Sequence, residues 1–239
     1  NLTHADDVRD LQAEYVAAGA QLIETNTYGA NRFKLAAFEL DSQVVDMNEA
    51  GARIARQAAA GKALVAGAVG PCGKPLAPIG RISPEDARAS FRQQIEVLAG
   101  SCVDLLILET FSDLPELEIA VQVAREVAPN LPIIAHKTFI EDGETLAEGL
   151  PRRVAETVHS WGVDVVGSNC TVGPQRMLGI IQQMAAAPDV RVSAMPTAGM
   201  PQIVGGHITY SLTPDYFAYS GRLIAEAGAN IVGGCCGTT

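Results

Sequence analysis

Apolar positions along the chain fall into two patterns that alternate. Over Ser42–Gly61 they recur at helical spacing, with Val44, Met47, Gly51 and Ile54 on one face. A continuous apolar run, ALVAGAVG, follows at once. The alternation repeats to the end of the chain. Further helical stripes are Val8, Leu11 and Tyr15; Ala87, Phe91, Ile95 and Leu98; Leu117, Val121 and Ala124; Val154, Val158 and Trp161; Met177, Ile181 and Met184; and Phe217 with Ile224. Further strand-like runs read QLIETNT, VDLLILET, LPIIAHKTF, VDVVGSNC, VRVSAMP and ANIVGG. The punctuation agrees. Thr3 with Asp6 and Asp113 with Glu116 have N-cap spacing, while Ser83-Pro84 and Thr213-Pro214 place a capping residue before proline.

The pattern predicts seven helices and seven strands, strictly alternating, helix first. Strands that are apolar throughout suit a parallel sheet buried on both faces. Strict alternation of this kind specifies the α/β class. Eight such units, about 250 residues, close into a (β/α)8 TIM-type barrel. The chain is therefore expected to be a single partial barrel domain over residues 1–239, without the first strand and last helix. An open doubly wound sheet is the alternative, but no Gly-rich dinucleotide fingerprint follows any strand. The chain opens on Asn1 in what already reads as a helix start, so a fragment of a longer protein is expected.

Composition narrows the function. The net charge is -10 with the acidic residues spread along the chain, which disfavours a nucleic-acid surface. No apolar run approaches the roughly 20 residues of a membrane span. A soluble cytoplasmic protein is expected. Five cysteines in 239 residues do not form a secreted disulfide framework, so they read as thiols, metal ligands or core residues.

In a barrel of this type the chemistry sits at the C-terminal strand ends. Those ends are polar here: Glu24-Thr25-Asn26-Thr27-Tyr28, Gly70-Pro71-Cys72, Glu109-Thr110, His136-Lys137-Thr138, Ser168-Asn169-Cys170, Pro196-Thr197 and Gly234-Cys235-Cys236. Adjacent strand residues point to opposite faces, so Cys235 and Cys236 serve one site only if the backbone turns, which Gly233, Gly234 and Gly237 permit. With Cys170 they would give three thiolates on one rim, a set that suits a tetrahedral Zn²⁺ with one open position. A core cysteine pair and a vicinal disulfide are the competing readings. Cys72 reads as a bystander at the same rim, Cys102 as core at the opposite one, and His136 as polar lining. His207 falls in a Gly-rich loop, and Ile140–Gly149 reads as a lid-like loop or a solvated turn.

The paired motifs GSNC and GGCCGTT, together with NLTH, IETNTYGANRFKL, GAVGPCGKPL and LLILETFSD, resemble the zinc-binding homocysteine S-methyltransferase family over essentially the whole chain. The similarity extends to the homocysteine-binding domains of cobalamin-dependent methionine synthase and of bifunctional proteins with a methylenetetrahydrofolate reductase module. The resemblance implies a (β/α)8 barrel that activates the homocysteine thiol as a zinc-bound thiolate and methylates it to methionine. It makes Cys170, Cys235 and Cys236 the zinc ligands and assigns Glu109 to the substrate ammonium. Asn26, Thr27 and Ser168 are expected to donate to the substrate carboxylate, and Asn169 to orient Cys170 from behind. The family's first-strand Asp-Gly motif is expected to lie outside this chain, and Thr197 stands where the family commonly has Asn. The partners implied are L-homocysteine and a methyl donor. The donor is methyltetrahydrofolate or methylcobalamin delivered by another module, S-methylmethionine, or S-adenosylmethionine. Other readings are a methyltransferase for another thiol or a selenol, a non-catalytic zinc-binding barrel, and a redox cysteine pair.

Overall fold

The computed structural model describes residues 1–139 and 150–239. The lid-like loop expected over Ile140–Gly149 lies outside the described residues. The described residues form two compact units, Asn1–Glu109 with Pro115–Ile133, and Thr110–Leu114 with Ile134–Thr239.

The first unit runs α1 (Ala5–Ala17), β1 (Leu22–Glu24), α2 (Arg32–Ala36), α3 (Val44–Ala59), β2 (Leu64–Val69), α4 (Pro84–Gly100), β3 (Leu105–Phe111) and α5 (Leu114–Val127); the end residues Thr110 and Phe111 of β3 and Leu114 of α5 group with the second unit. β1 pairs parallel with β2, Leu22 opposite Leu64, and β2 with β3, Ala66 opposite Leu105. The stripe read on α4 is the core: Ala87, Phe91, Ile95 and Leu98 are all fully buried. Gly67 of β2 admits this helix, because a side chain there would meet Leu98 and Leu106 at 3.2–3.4 Å. Ser83 caps α4 as expected, accepting the Asp86 N–H at 3.0 Å.

Three local expectations fail in this unit. Thr3 does not cap α1; the helix starts after His4 with no side-chain cap, and the Thr3 hydroxyl instead meets His4 Nδ1 at 2.9 Å. Leu11 and Tyr15 of α1 are exposed, because the helix turns Ala5, Val8, Gln12 and Val16 inward. Cys102 is exposed rather than core, its backbone at φ 60° in a tight turn.

The second unit carries β4 (Ile133–Lys137), α6 (Leu150–Ser160), β5 (Val165–Asn169), α7 (Pro174–Ala185), β6 (Val192–Met195), β7 (Gln202–Val204), β8 (His207–Thr209), α8 (Pro214–Glu226) and β9 (Ala229–Val232). β4, β5, β6 and β9 pair in that order, all parallel. Met177, Ile181 and Met184 of α7 are fully buried, as their spacing requires. The antiparallel β7–β8 hairpin was not foreseen: Ile203 and Ile208 face each other across it and both stay exposed, so no buried face marks it in the sequence.

Candidate active site

Three cysteines meet in the second unit. Cys170 Sγ lies 3.8 Å from Cys236 Sγ, Cys235 Sγ lies 3.9 Å from Cys236 Sγ, and all three sulfurs fall within 4.8 Å of one another. These are non-bonded separations and the thiols are free. Four ligands around Zn²⁺ at about 2.3 Å would stand about 3.8 Å apart. The donor set and its spacing therefore fit a tetrahedral thiolate metal site.

Backbone geometry assembles the cluster. β5 ends at Asn169, and Cys170 and Thr171 then take φ 61° and 56°, a region that non-glycine residues rarely occupy. That inversion brings Cys170 to the side Asn169 faces. The Cys170 N–H donates to Met195 O, the Cys235 N–H to Pro196 O, and the Ala198 N–H to Cys236 O. The chain turns through Gly237 at φ 74°, and the Thr238 N–H closes the turn on Cys235 O. The Tyr210 ring packs on Gly237, where any Cβ would come within 2.1 Å of it.

Asn169 is buried and sits at the centre of a polar network. Its Oδ1 accepts the Thr110 N–H at 2.8 Å and the Thr138 hydroxyl at 3.3 Å; its Nδ2 donates to Thr110 Oγ1 at 2.7 Å and reaches Cys235 Sγ at 4.0 Å. The sequence reading had it support Cys170; the structure sets it against Cys235. Thr110 and Thr138 are the additional members that residue patterns did not single out. Thr110 is a third residue with inverted backbone, at φ 63°.

The sulfurs share their protons unevenly. Cys170 is shifted down to about 6, chiefly because the Cys235 thiol donates to it, with the Thr171 N–H adding to the effect. Cys235 is pushed far up by that same bond and by burial, and Cys236 is raised by burial first and then by the charge of Cys170. Without metal, the cluster holds one thiolate at neutral pH, on Cys170.

The first unit holds Glu109 and Glu24. Glu109, at the end of β3, is hydrogen-bonded to the carboxyl of Glu24 at the end of β1; burial raises Glu24 above the usual carboxylate range, and the bond to Glu109 partly offsets that rise. Lys34 lies close enough for its charge to be felt by Glu109 and Glu116. The sequence reading did not single out Glu24 or Lys34, although IETNT and ANRFKL carry them.

The other expected donors are placed less favourably. Thr27 is buried and its hydroxyl donates to Ala68 O at 2.7 Å, so its one proton is committed within the unit. Asn26 is exposed, with Nδ2 on Asn1 Oδ1 at 3.2 Å. Ser168 is fully buried but precedes Asn169 on a strand, so it points to the opposite face and is not brought to the cysteines. Cys72 is buried, its thiol pushed up by burial and by Glu116. His136 is fully buried and held neutral, its pKa lowered to about 3 by burial. Among the described residues, no helix is long and apolar enough to cross a membrane.

Comparison with known proteins agrees with this geometry. The family model for homocysteine S-methyltransferase matches residues 1–239. The methionine synthases of Mycobacterium leprae and Mycobacterium tuberculosis are each 31% identical over 250 aligned residues, which cover 100% of this chain and 21% of theirs. The chain thus spans about a fifth of the length of these relatives. Among solved structures, the Escherichia coli homocysteine methyltransferase MmuM in its oxidized form is 25% identical with a TM-score of 0.79, over 100% of this chain and 82% of that one. Its metallated form matches with the same identity and score over 99% of this chain. The α/β fold is accordingly of the (β/α)8 barrel type, with seven of its parallel strands among the described residues. A matching family model over the full length, joined to a converging cysteine triad, places the chain in the homocysteine S-methyltransferase family.

Proposed function

We propose that this chain is the homocysteine-activating domain of a zinc-dependent methyltransferase that converts L-homocysteine to methionine. The observation that carries the reading is the spacing of three free sulfurs at 3.8 and 3.9 Å, with the backbone inverted at Cys170. Cys170, Cys235 and Cys236 would hold the metal. When bound, zinc supplies the Lewis acidity that lowers a thiol's pKa from about 8.5 to below neutrality.

The chain's own groups do the rest. Asn169 holds Cys235 from behind and, through Thr110 and Thr138, fixes the end of β5. Glu109 would meet the substrate ammonium, as the family resemblance implies. The substrate thiol gives its proton to solvent, and its sulfur displaces the donor from the methyl carbon, forming the C–S bond as the donor's bond to methyl breaks. The donor is an electrophilic methyl group presented from outside this chain, of the methyltetrahydrofolate, methylcobalamin or sulfonium type. The domain's place in the cytoplasm is part of the same proposal.

The test is zinc K-edge absorption on the full-length protein, with and without L-homocysteine. The expected change is from three sulfurs and one lighter ligand to four sulfurs. A metal-free protein, or a spectrum indifferent to homocysteine, would overturn the reading in favour of a structural or redox cysteine cluster.

A further inference from the structure

The strands that carry Asn169 also carry a row of buried polar atoms that the cysteine cluster does not use. His136 of β4 stands opposite Gly167 of β5, and Gly167 stands opposite Ser193 of β6. All three lie in the second unit. Residues two apart on a strand share a face, so this row lies on the same side of the sheet as Thr138 and Asn169, one step closer to the strand starts. The Thr138 hydroxyl, 3.3 Å from Asn169 Oδ1, marks that side.

His136 and Ser193 are both fully buried. Among the described residues, His136 Nδ1, His136 Nε2 and Ser193 Oγ have no hydrogen-bond partner. A buried donor or acceptor in that state has lost its hydration and gained nothing for it, and native interiors keep few of them. The neutral imidazole offers one N–H and one lone pair, and the hydroxyl both donates and accepts.

Gly167 decides where the imidazole goes. A Cβ on Gly167 would lie 2.7 Å from His136 Cδ2 and 2.8 Å from Nε2, so the ring leans over the glycine. The same Cβ would lie 2.2 Å from Ser193 O, so the space over Gly167 is bordered by Nε2 on one side and by β6 on the other. β4 and β6 lie two strand spacings apart, about 9.6 Å, and bond to each other only through what lies between them. None of the three residues in the row carries a charge. The group that satisfies them is therefore neutral, small, and both donor and acceptor.

We propose that His136 and Ser193 hold one internal water beside Gly167, which joins β4 to β6 on the face that carries Asn169. The water accepts from His136 Nε2–H and from the Ser193 hydroxyl, so no donor of the row is left unpaired. Ser193 O borders the same space and takes a proton of the water in return. The Nδ1 lone pair is left over, and an unpaired acceptor is the less costly orphan. The inference is independent of what the cysteines bind.

The experiment is a crystal structure of the full-length protein at a resolution that shows ordered water, with hydrogen exchange read by mass spectrometry on Ser193→Ala, His136→Phe and the double variant. The structure is expected to show one water within about 2.7–3.2 Å of both His136 Nε2 and Ser193 Oγ. Ser193→Ala is expected to speed exchange of the β4 and β6 amides about fivefold, and less than about twofold once His136 is replaced by Phe. A direct bond between Nε2 and Oγ, or a dry row, would overturn the proposal. So would effects of the two substitutions that simply multiply. Where a variant does not fold, the wild-type structure decides the matter alone.

Discussion

The residue that most distinguishes the cysteine cluster is Cys170, which combines an inverted backbone with a lowered pKa. Strain of order 1–3 kcal/mol at such positions persists only where the surroundings enforce it. Here the Cys170 N–H is held by Met195 O and the Thr171 hydroxyl by Phe139 O. In metal-free protein, iodoacetamide should label Cys170 first, with a midpoint near pH 6, while Cys235 and Cys236 resist until more alkaline pH. Peptide mass mapping across a pH series checks this; equal labelling of the three at neutral pH would refute the proton-sharing scheme. Asn169 is the other residue on which the site depends. Asn169→Ala removes the Oδ1 that accepts the buried Thr110 N–H, while the Thr138 hydroxyl keeps the Asn169 main-chain oxygen at 3.0 Å. It should lower stability by about 2–3 kcal/mol and zinc affinity by about 10- to 100-fold, read by urea denaturation and competitive chelation.

At the scale of the element, β5 shows how a strand is shaped by its neighbours. Its central Gly167 stands opposite His136 of β4 and Ser193 of β6. A Cβ on Gly167 would lie 2.2 Å from Ser193 O and 2.7 Å from the His136 ring. Gly167→Ala should therefore cost about 1–3 kcal/mol, and combining it with His136→Ala should recover little, because the closest clash is with backbone. Full recovery in the double variant would show instead that the ring sets the limit. The elements themselves were legible wherever a stripe was long and met a single neighbour, as on α4 and α7. They were not legible in the β7–β8 hairpin, which buries neither face, or in α2, whose five residues are held by one asparagine cap rather than by periodicity. The stripe on α1 misled because Leu11 and Tyr15 satisfied helical spacing without being on the face that packs.

At the scale of the whole molecule, one buried group ties stability to pH. The folded chain keeps His136 neutral down to about pH 3, whereas the unfolded chain protonates it near 6.5. Between these values the unfolded state binds the extra proton, so its contribution is complete above pH 6.5 and is lost as pH falls toward 3. Urea unfolding of wild type should fall more steeply than that of His136→Phe below pH 6, by up to roughly 1.4 kcal/mol per pH unit. Parallel curves would mean that the imidazole is protonated in the fold.

The sequence by itself determined the fold class, because period-3.6 stripes alternating with fully apolar runs leave few packings other than parallel βα units. It also singled out the three cysteines that meet, because strand ends of such a fold fall on one rim and their motifs match one family. Only the tertiary structure decided which polar neighbours serve the site. Thr27 carries its proton to Ala68 O, Ser168 points to the opposite face from Asn169, and Asn169 supports Cys235 rather than Cys170. Glu24 and Lys34 emerged beside Glu109 only once β1, α2 and β3 were in place. The physical reason is that a polar side chain's role is set by where its protons and lone pairs find partners. Those partners are distant in the chain, as Thr110 and Asn169 are, and no local pattern records them.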